Sequence, residues 1–154
     1  MASPTPSQTI GPFFAEGLRW AVTATTRVAR GDEVTIEGRV LDADGNPVTD
    51  ALVEAWQPAA SGEALGGLQR VATDVGGGFR FHVARDTVRV NVVLLARGLL
   101  KAACTRLHLA VDDVPAAVPP ARAHTLVARP TIDPVRFSWD IRLGGENETV
   151  FFEL

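Results

Sequence analysis

The most informative feature of this sequence is what its 154 residues lack. Tyrosine is absent, so no phenolate oxygen is available as a metal ligand. Cysteine occurs once, at Cys104, which excludes an intrachain disulfide and favours a buried, unreactive thiol. No apolar run approaches the roughly 20 residues of a membrane span, and the net charge of −3 includes no long run of one sign. We therefore expect a cytoplasmic protein that binds neither membrane nor nucleic acid.

Motifs for metal binding or nucleophilic catalysis are also missing. His82, His108 and His124 lie on separate predicted elements, and none has a second histidine, cysteine or aspartate at a metal-ligand spacing. The glycines at 76–78 precede a strand and no Lys-Ser or Lys-Thr follows them, so they indicate a turn and not a phosphate loop. Motif analysis alone thus assigns no catalytic residue.

The first 33 residues differ from the rest and form a predicted extended arm. Prolines and Gly11 interrupt regular structure there, whereas Phe13, Phe14 and Trp20 are too apolar to remain in water. The arm could dock on its own domain or on a partner chain. Because two adjacent phenylalanines stand in a segment that cannot extend a strand, we predict that a partner chain holds it.

Residues 34–154 carry the pattern of an all-β protein, an antiparallel β-sandwich. Apolar and polar residues alternate over short segments, and turn signals recur every eight to twelve residues. We predict three hairpins, with turns at residues 44–47, 76–78 and 97–100. The predicted strands are 34–41, 51–56, 68–73, 79–83, 88–96, 102–109, 126–129, 137–143 and 149–152, with a short helix or loop at 112–121.

Four stretches of the chain carry a recognisable pattern: Thr5–Phe13, Gly38–Val48 with Ala51–Gln57, Leu95–Gly98 with Thr105–Leu107, and Gly145–Phe152. They resemble the intradiol dioxygenases, and more narrowly the alpha chains of protocatechuate 3,4-dioxygenases. They span nearly the whole chain in family order, and the Glu54-x-Trp56-Gln57 ending of the second stretch is fairly specific. The resemblance implies a β-sandwich, an assembly of alpha and beta chains, and oxygen-dependent cleavage of protocatechuate to 3-carboxy-cis,cis-muconate.

The resemblance also implies that this chain has lost the family's iron site. In that family two tyrosines and a His-x-His strand hold nonhaem Fe(III), and the matching triplet here is Arg89-Val90-Asn91. A guanidinium has no lone pair to donate, and a neutral amide oxygen is a poor ligand for Fe(III). We therefore expect no metal or catalytic residue in this chain, and the iron in a partner beta subunit.

Four residues match alpha-chain positions that line the partner's substrate pocket. They are Thr9, Pro12 and Phe13 of the arm and Arg97 of the third hairpin. A guanidinium at the pocket mouth would attract an anionic dihydroxybenzoate that reacts there with O2. An iron-free binding or scaffold module with the same fold is the alternative function, and an exposed turn arginine is the alternative for Arg97.

Overall fold

The computed structural model describes residues 11, 13–25, 29, 31–57 and 67–153. Its regular elements are α1 (Phe14–Gly17), α2 (Arg19–Thr25), β1 (Glu33–Leu41), β2 (Leu52–Trp56), β3 (Leu68–Ala72), β4 (Gly78–Ala84), β5 (Val90–Leu95), β6 (Ala103–Leu107), α3 (Pro120–Ala123), β7 (Arg129–Pro130), β8 (Arg136–Ser138) and β9 (Ile141–Arg142). Two 3-10 helices cover Val111–Asp113 and His124–Leu126. None of the described helices has the length and apolarity needed to cross a bilayer.

The strands form two sheets that pack face to face, which confirms the predicted β-sandwich. One sheet has the order β4-β1-β8-β7, with β9 also paired to β1, and the other has the order β3-β2-β5-β6. Strands β8 and β9 run parallel to β1, so this sheet is mixed and not purely antiparallel. The core between the sheets is apolar, and its most deeply buried members include Ile36, Val53, Phe81, Leu94, Leu107 and Ile141.

Two of the three predicted hairpins are wrong. β1 and β2 lie in different sheets, and so do β3 and β4, whereas β5 and β6 pair as predicted. The turn signals themselves are correct: Leu41 bridges Pro47, and the backbone N–H of Asp74 donates to the carbonyl of Gly78. After each of these turns the chain crosses to the facing sheet, because both flanking strands have an apolar side that the core can bury.

Other segments differ from the predicted strands in detail. Residues 137–143 are not one strand, since β8 and β9 are separated at Trp139 and Asp140. Residues 149–152 make only an isolated bridge between Phe152 and Cys104. Residues 126–129 contribute the end of a 3-10 helix and the first residue of β7. Short segments at a sheet edge gain few ladder hydrogen bonds, so alternation alone does not define their ends.

The predicted arm is not extended over its described part. Residues 14–25 form two short helices, because the prolines that interrupt helices all precede Phe13. Helix α2 packs against β3 of the same chain, and Ala21 is buried there. Helix α2 therefore contacts its own domain, and docking of the arm on a partner chain stays a prediction.

Candidate functional site

Arg97 lies at the tip of the hairpin that joins β5 to β6. The neighbouring Gly98 has a φ of +87°, a conformation that glycine adopts without strain, and the N–H of Leu99 donates to the carbonyl of Ala96 at 3.3 Å. The Arg97 side chain is 65% exposed. Leu100, three residues after Arg97 in the same hairpin, is also largely exposed. The hairpin thus presents the Arg97 cation beside the apolar side chain of Leu100, with the exposed Lys101 next to it.

Sequence reasoning did not identify the ion partner of Arg97. The Nε of Arg97 contacts a carboxylate oxygen of Asp50, at the end of the loop between β1 and β2. Strand β2 hydrogen-bonds to β5, with Leu52 opposite Leu95, so the start of one strand and the end of the other lie side by side. Asp50 therefore offsets part of the charge that Arg97 offers to an anion. No local motif marks this pair, because only strand pairing brings the two residues together.

The residues matched to the family's histidine positions lie on or beside β5. Val90 between them is buried in the core, whereas Arg89 is exposed and Asn91 is partly exposed, so both face away from the core. Asn91 stands opposite Arg106 of β6 and Trp56 of β2. Two arginines beside one neutral amide would repel a ferric ion. These residues do not fit the iron site of the family.

The described residues offer no other group of ligands for a metal. Within residues 11–57 and 67–153, as far as they are described, no three His, Cys, Asp or Glu side chains cluster at metal-binding distance. Cys104 is a free, partly buried thiol on β6, and burial raises its pKa above the usual range. A thiol with a raised pKa is mostly protonated at neutral pH, which agrees with the expected unreactive cysteine.

The arm contributes two phenylalanines with opposite environments. Phe13 is 80% exposed, whereas Phe14 is only 9% exposed and begins α1. Thr9 and Pro12, the other predicted pocket residues of the arm, lie outside the described residues. Among the described residues, no hydrogen bond, ion pair or ring contact joins Phe13 to Arg97. Their meeting at one pocket stays a prediction.

His108 is a buried residue that sequence reasoning placed on a strand without a role. Its side chain is 2% exposed, and Nδ1 lies 3.1 Å from the carbonyl oxygen of Val88, which requires Nδ1 to carry the proton. Nε2 is buried and has no hydrogen-bond partner among the described residues. Burial lowers the pKa of His108, so the imidazole is neutral at neutral pH.

Comparison with known proteins identifies close sequence relatives. The chain is 33% identical over 191 residues to the protocatechuate 3,4-dioxygenase alpha chain of Burkholderia cepacia, covering 97% of each chain. It is 30% identical over 194 residues to the corresponding alpha chain of Pseudomonas putida, covering 97% of this chain and 96% of the relative. The first alignment spans 191 positions and this chain has 154 residues, so at least 37 positions of that alignment have no counterpart here.

Solved structures with the same fold are more distant in sequence. Hydroxyquinol 1,2-dioxygenase from Pseudomonas putida DLL-E4 superimposes with a TM-score of 0.56 at 19% identity, over 92% of this chain and 67% of that one. The dioxygenase domain of a dioxygenase and carbohydrate-binding protein fusion from Streptomyces sp. SirexAA-E gives a TM-score of 0.54 at 18% identity, over 93% and 99%. No family model matches the sequence. The two full-length relatives nevertheless suffice: the chain belongs to the protocatechuate 3,4-dioxygenase alpha chains of the intradiol dioxygenase family.

Proposed function

We propose that this chain is a non-catalytic alpha subunit that completes the substrate pocket of an Fe(III)-bearing beta subunit. The assembly would cleave protocatechuate between its two hydroxyls to 3-carboxy-cis,cis-muconate. The single observation that carries the proposal is the donor set: no tyrosine occurs in 154 residues, and Arg89 and Asn91 occupy the positions matched to the family's histidines. The iron and the ring-cleaving chemistry therefore belong to the partner chain.

The contribution of this chain is to bind and orient the substrate. Arg97 is exposed on a hairpin tip, where its guanidinium can approach the carboxylate of a substrate bound in the partner chain's pocket. The pairing with Asp50 holds that side chain against its own domain. Phe13 offers an exposed aromatic ring on the arm. An anionic dihydroxybenzoate fits a positively charged tip better than uncharged catechol does.

The proposal is tested by expressing the chain alone and together with its beta chain. We expect the chain alone to hold no stoichiometric iron, to show no visible tyrosinate-to-iron absorption and to consume no oxygen with protocatechuate. The co-expressed assembly should hold iron and consume oxygen. About one tightly held iron in the chain alone would contradict the proposal. If the beta chain is active alone, does not bind this chain and has the same activity in its presence, the result would favour an iron-free scaffold module.

A further inference from the structure

A polar cavity of about 300 Å³ lies beside the mixed sheet, and no residue of the Arg97 hairpin lines it. It is bordered by the 3-10 helix at His124, by β7, β8 and β9, and by the loop that follows β9. Neither Phe13 nor Arg97, the described residues of the proposed substrate pocket, lines it. Its volume is at the lower end of the range for small-molecule sites, so a peptide segment would not fit inside.

Two arginines line this cavity without an ion partner among the described residues. Arg129 of β7 and Arg142 of β9 make no salt bridge or side-chain hydrogen bond with any other residue that the structure describes. Several other described arginines do pair with carboxylates: Arg39 with Asp140, Arg70 with Glu54, Arg80 with Glu37, Arg97 with Asp50, and Arg136 with Glu37 and Asp133. The cavity therefore keeps a local excess of positive charge.

One carboxylate also lines the cavity, and it is already engaged. Asp140 accepts a hydrogen bond from the backbone N–H of Arg39 at 2.9 Å, and its other oxygen lies 4.0 Å from the Arg39 guanidinium. Asp140 is thus balanced by a residue outside the cavity. The two lining arginines are left to a ligand, together with the hydroxyl of Ser138.

The loop after β9, which lines one side of the cavity, orients the side chain of Asn147. Asn147 has a φ of +63°, which asparagine tolerates better than most residues, and its Oδ1 lies 3.1 Å from Nε2 of His124. Arg122 donates to the carbonyl of Glu148 at 2.8 Å. When Oδ1 of Asn147 accepts from His124, its amide nitrogen remains as a further donor at the cavity. This loop is part of the Gly145–Phe152 segment that the proposed function does not use.

We propose that this cavity binds a small dianion through carboxylate or phosphate oxygens. A guanidinium offers a planar pair of donors that matches either group bidentately, and two of them suit a ligand with two negative charges. The site does not rest on the proposed function, since neither Arg97 nor the described residues of the arm line it.

The test is calorimetric titration of the full chain, purified in the assembly that it forms with its beta chain. Succinate and inorganic phosphate are the two probes, and whichever binds more tightly identifies the preferred oxyanion. We expect micromolar to low-millimolar affinity that weakens as the salt concentration rises. Arg129→Gln and Arg142→Gln should each weaken binding at least about tenfold. The matched control, Arg136→Gln, removes an exposed arginine already paired with carboxylates and should change the affinity less than twofold.

Two measurements keep the result interpretable. Thermal melting of each variant identifies a folding defect, and Arg142→Lys, which keeps the charge but loses the planar pair of donors, should bind with intermediate affinity. Binding that neither glutamine variant weakens, or no binding of either probe at 10 mM, overturns the proposal. The proposal is also overturned if the added anion dissociates the assembly, because that result would mean that a carboxylate of the beta chain occupies the cavity.

Discussion

Arg97 and Asp50 together allow a sharp test of the proposed substrate contact. If the Arg97 guanidinium meets the substrate carboxylate in the assembly, Arg97→Ala removes a charge-assisted hydrogen bond. Such a contact is worth roughly 1–3 kcal/mol, which corresponds to a fall of about five- to hundredfold in kcat/KM for protocatechuate. Most of the loss should be in KM, with little loss of iron. Catechol carries no carboxylate, so its turnover, where it is accepted, should fall much less.

The matched variant is Asp50→Asn, which removes the intrachain competitor for Arg97. The Arg97 side chain is 65% exposed and that of Asp50 is 29% exposed, so their pair contributes at most about 1 kcal/mol. Asp50→Asn should therefore leave stability nearly unchanged and raise kcat/KM for protocatechuate by up to about fivefold. Steady-state oxygen uptake with both substrates measures all of these effects. Equal losses on both substrates for Arg97→Ala, or no loss on either, would show that Arg97 is only an exposed turn residue.

Three further predictions concern the arm, a buried histidine and a close backbone contact. Phe14→Ala should lower the free energy of unfolding, measured by urea unfolding, by about 3 kcal/mol, because the Phe14 ring is buried. Phe13→Ala should leave the free energy of unfolding unchanged but weaken assembly with the beta chain, measured by sedimentation. The opposite ranking would refute the assignment of the two rings. The lowered pKa of His108 means that its stabilising effect is complete above about pH 6.5 and is lost as the pH falls through the folded-state pKa, because the unfolded chain takes up the proton first. His108→Asn keeps the donor to the Val88 carbonyl and should flatten the unfolding free energy between pH 7 and 5; an unchanged slope would exclude His108 as the cause. A Cβ at Gly38 would lie 1.7 Å from the carbonyl oxygen of Trp139, so Gly38→Ala should lower the free energy of unfolding, measured by thermal melting, by about 3 kcal/mol or more. Gly17 has open space around it, so the control Gly17→Ala should change the free energy of unfolding by less than about 1 kcal/mol.

The sequence alone determined the fold class and the family. Alternation over β1, β4 and β5 predicted strands with one buried side, because side chains on a strand alternate between the two faces of a sheet. The absence of tyrosine, together with Arg89 and Asn91, predicted the loss of the iron site, since a side chain without a suitable donor atom cannot bind Fe(III) in any geometry. The family assignment is confirmed by full-length relatives.

The tertiary structure decided which strands pair and which charges meet. A turn signal at residues 44–47 reports a local reversal of the chain, but it does not report whether the next strand returns to the same sheet or crosses the core. The contact of Asp50 with Arg97 and the grouping of Arg129 with Arg142 at one cavity depend on those pairings, because each joins residues from different strands or loops. Local sequence patterns specify the face that a strand buries, whereas contacts between distant segments depend on packing of the whole domain.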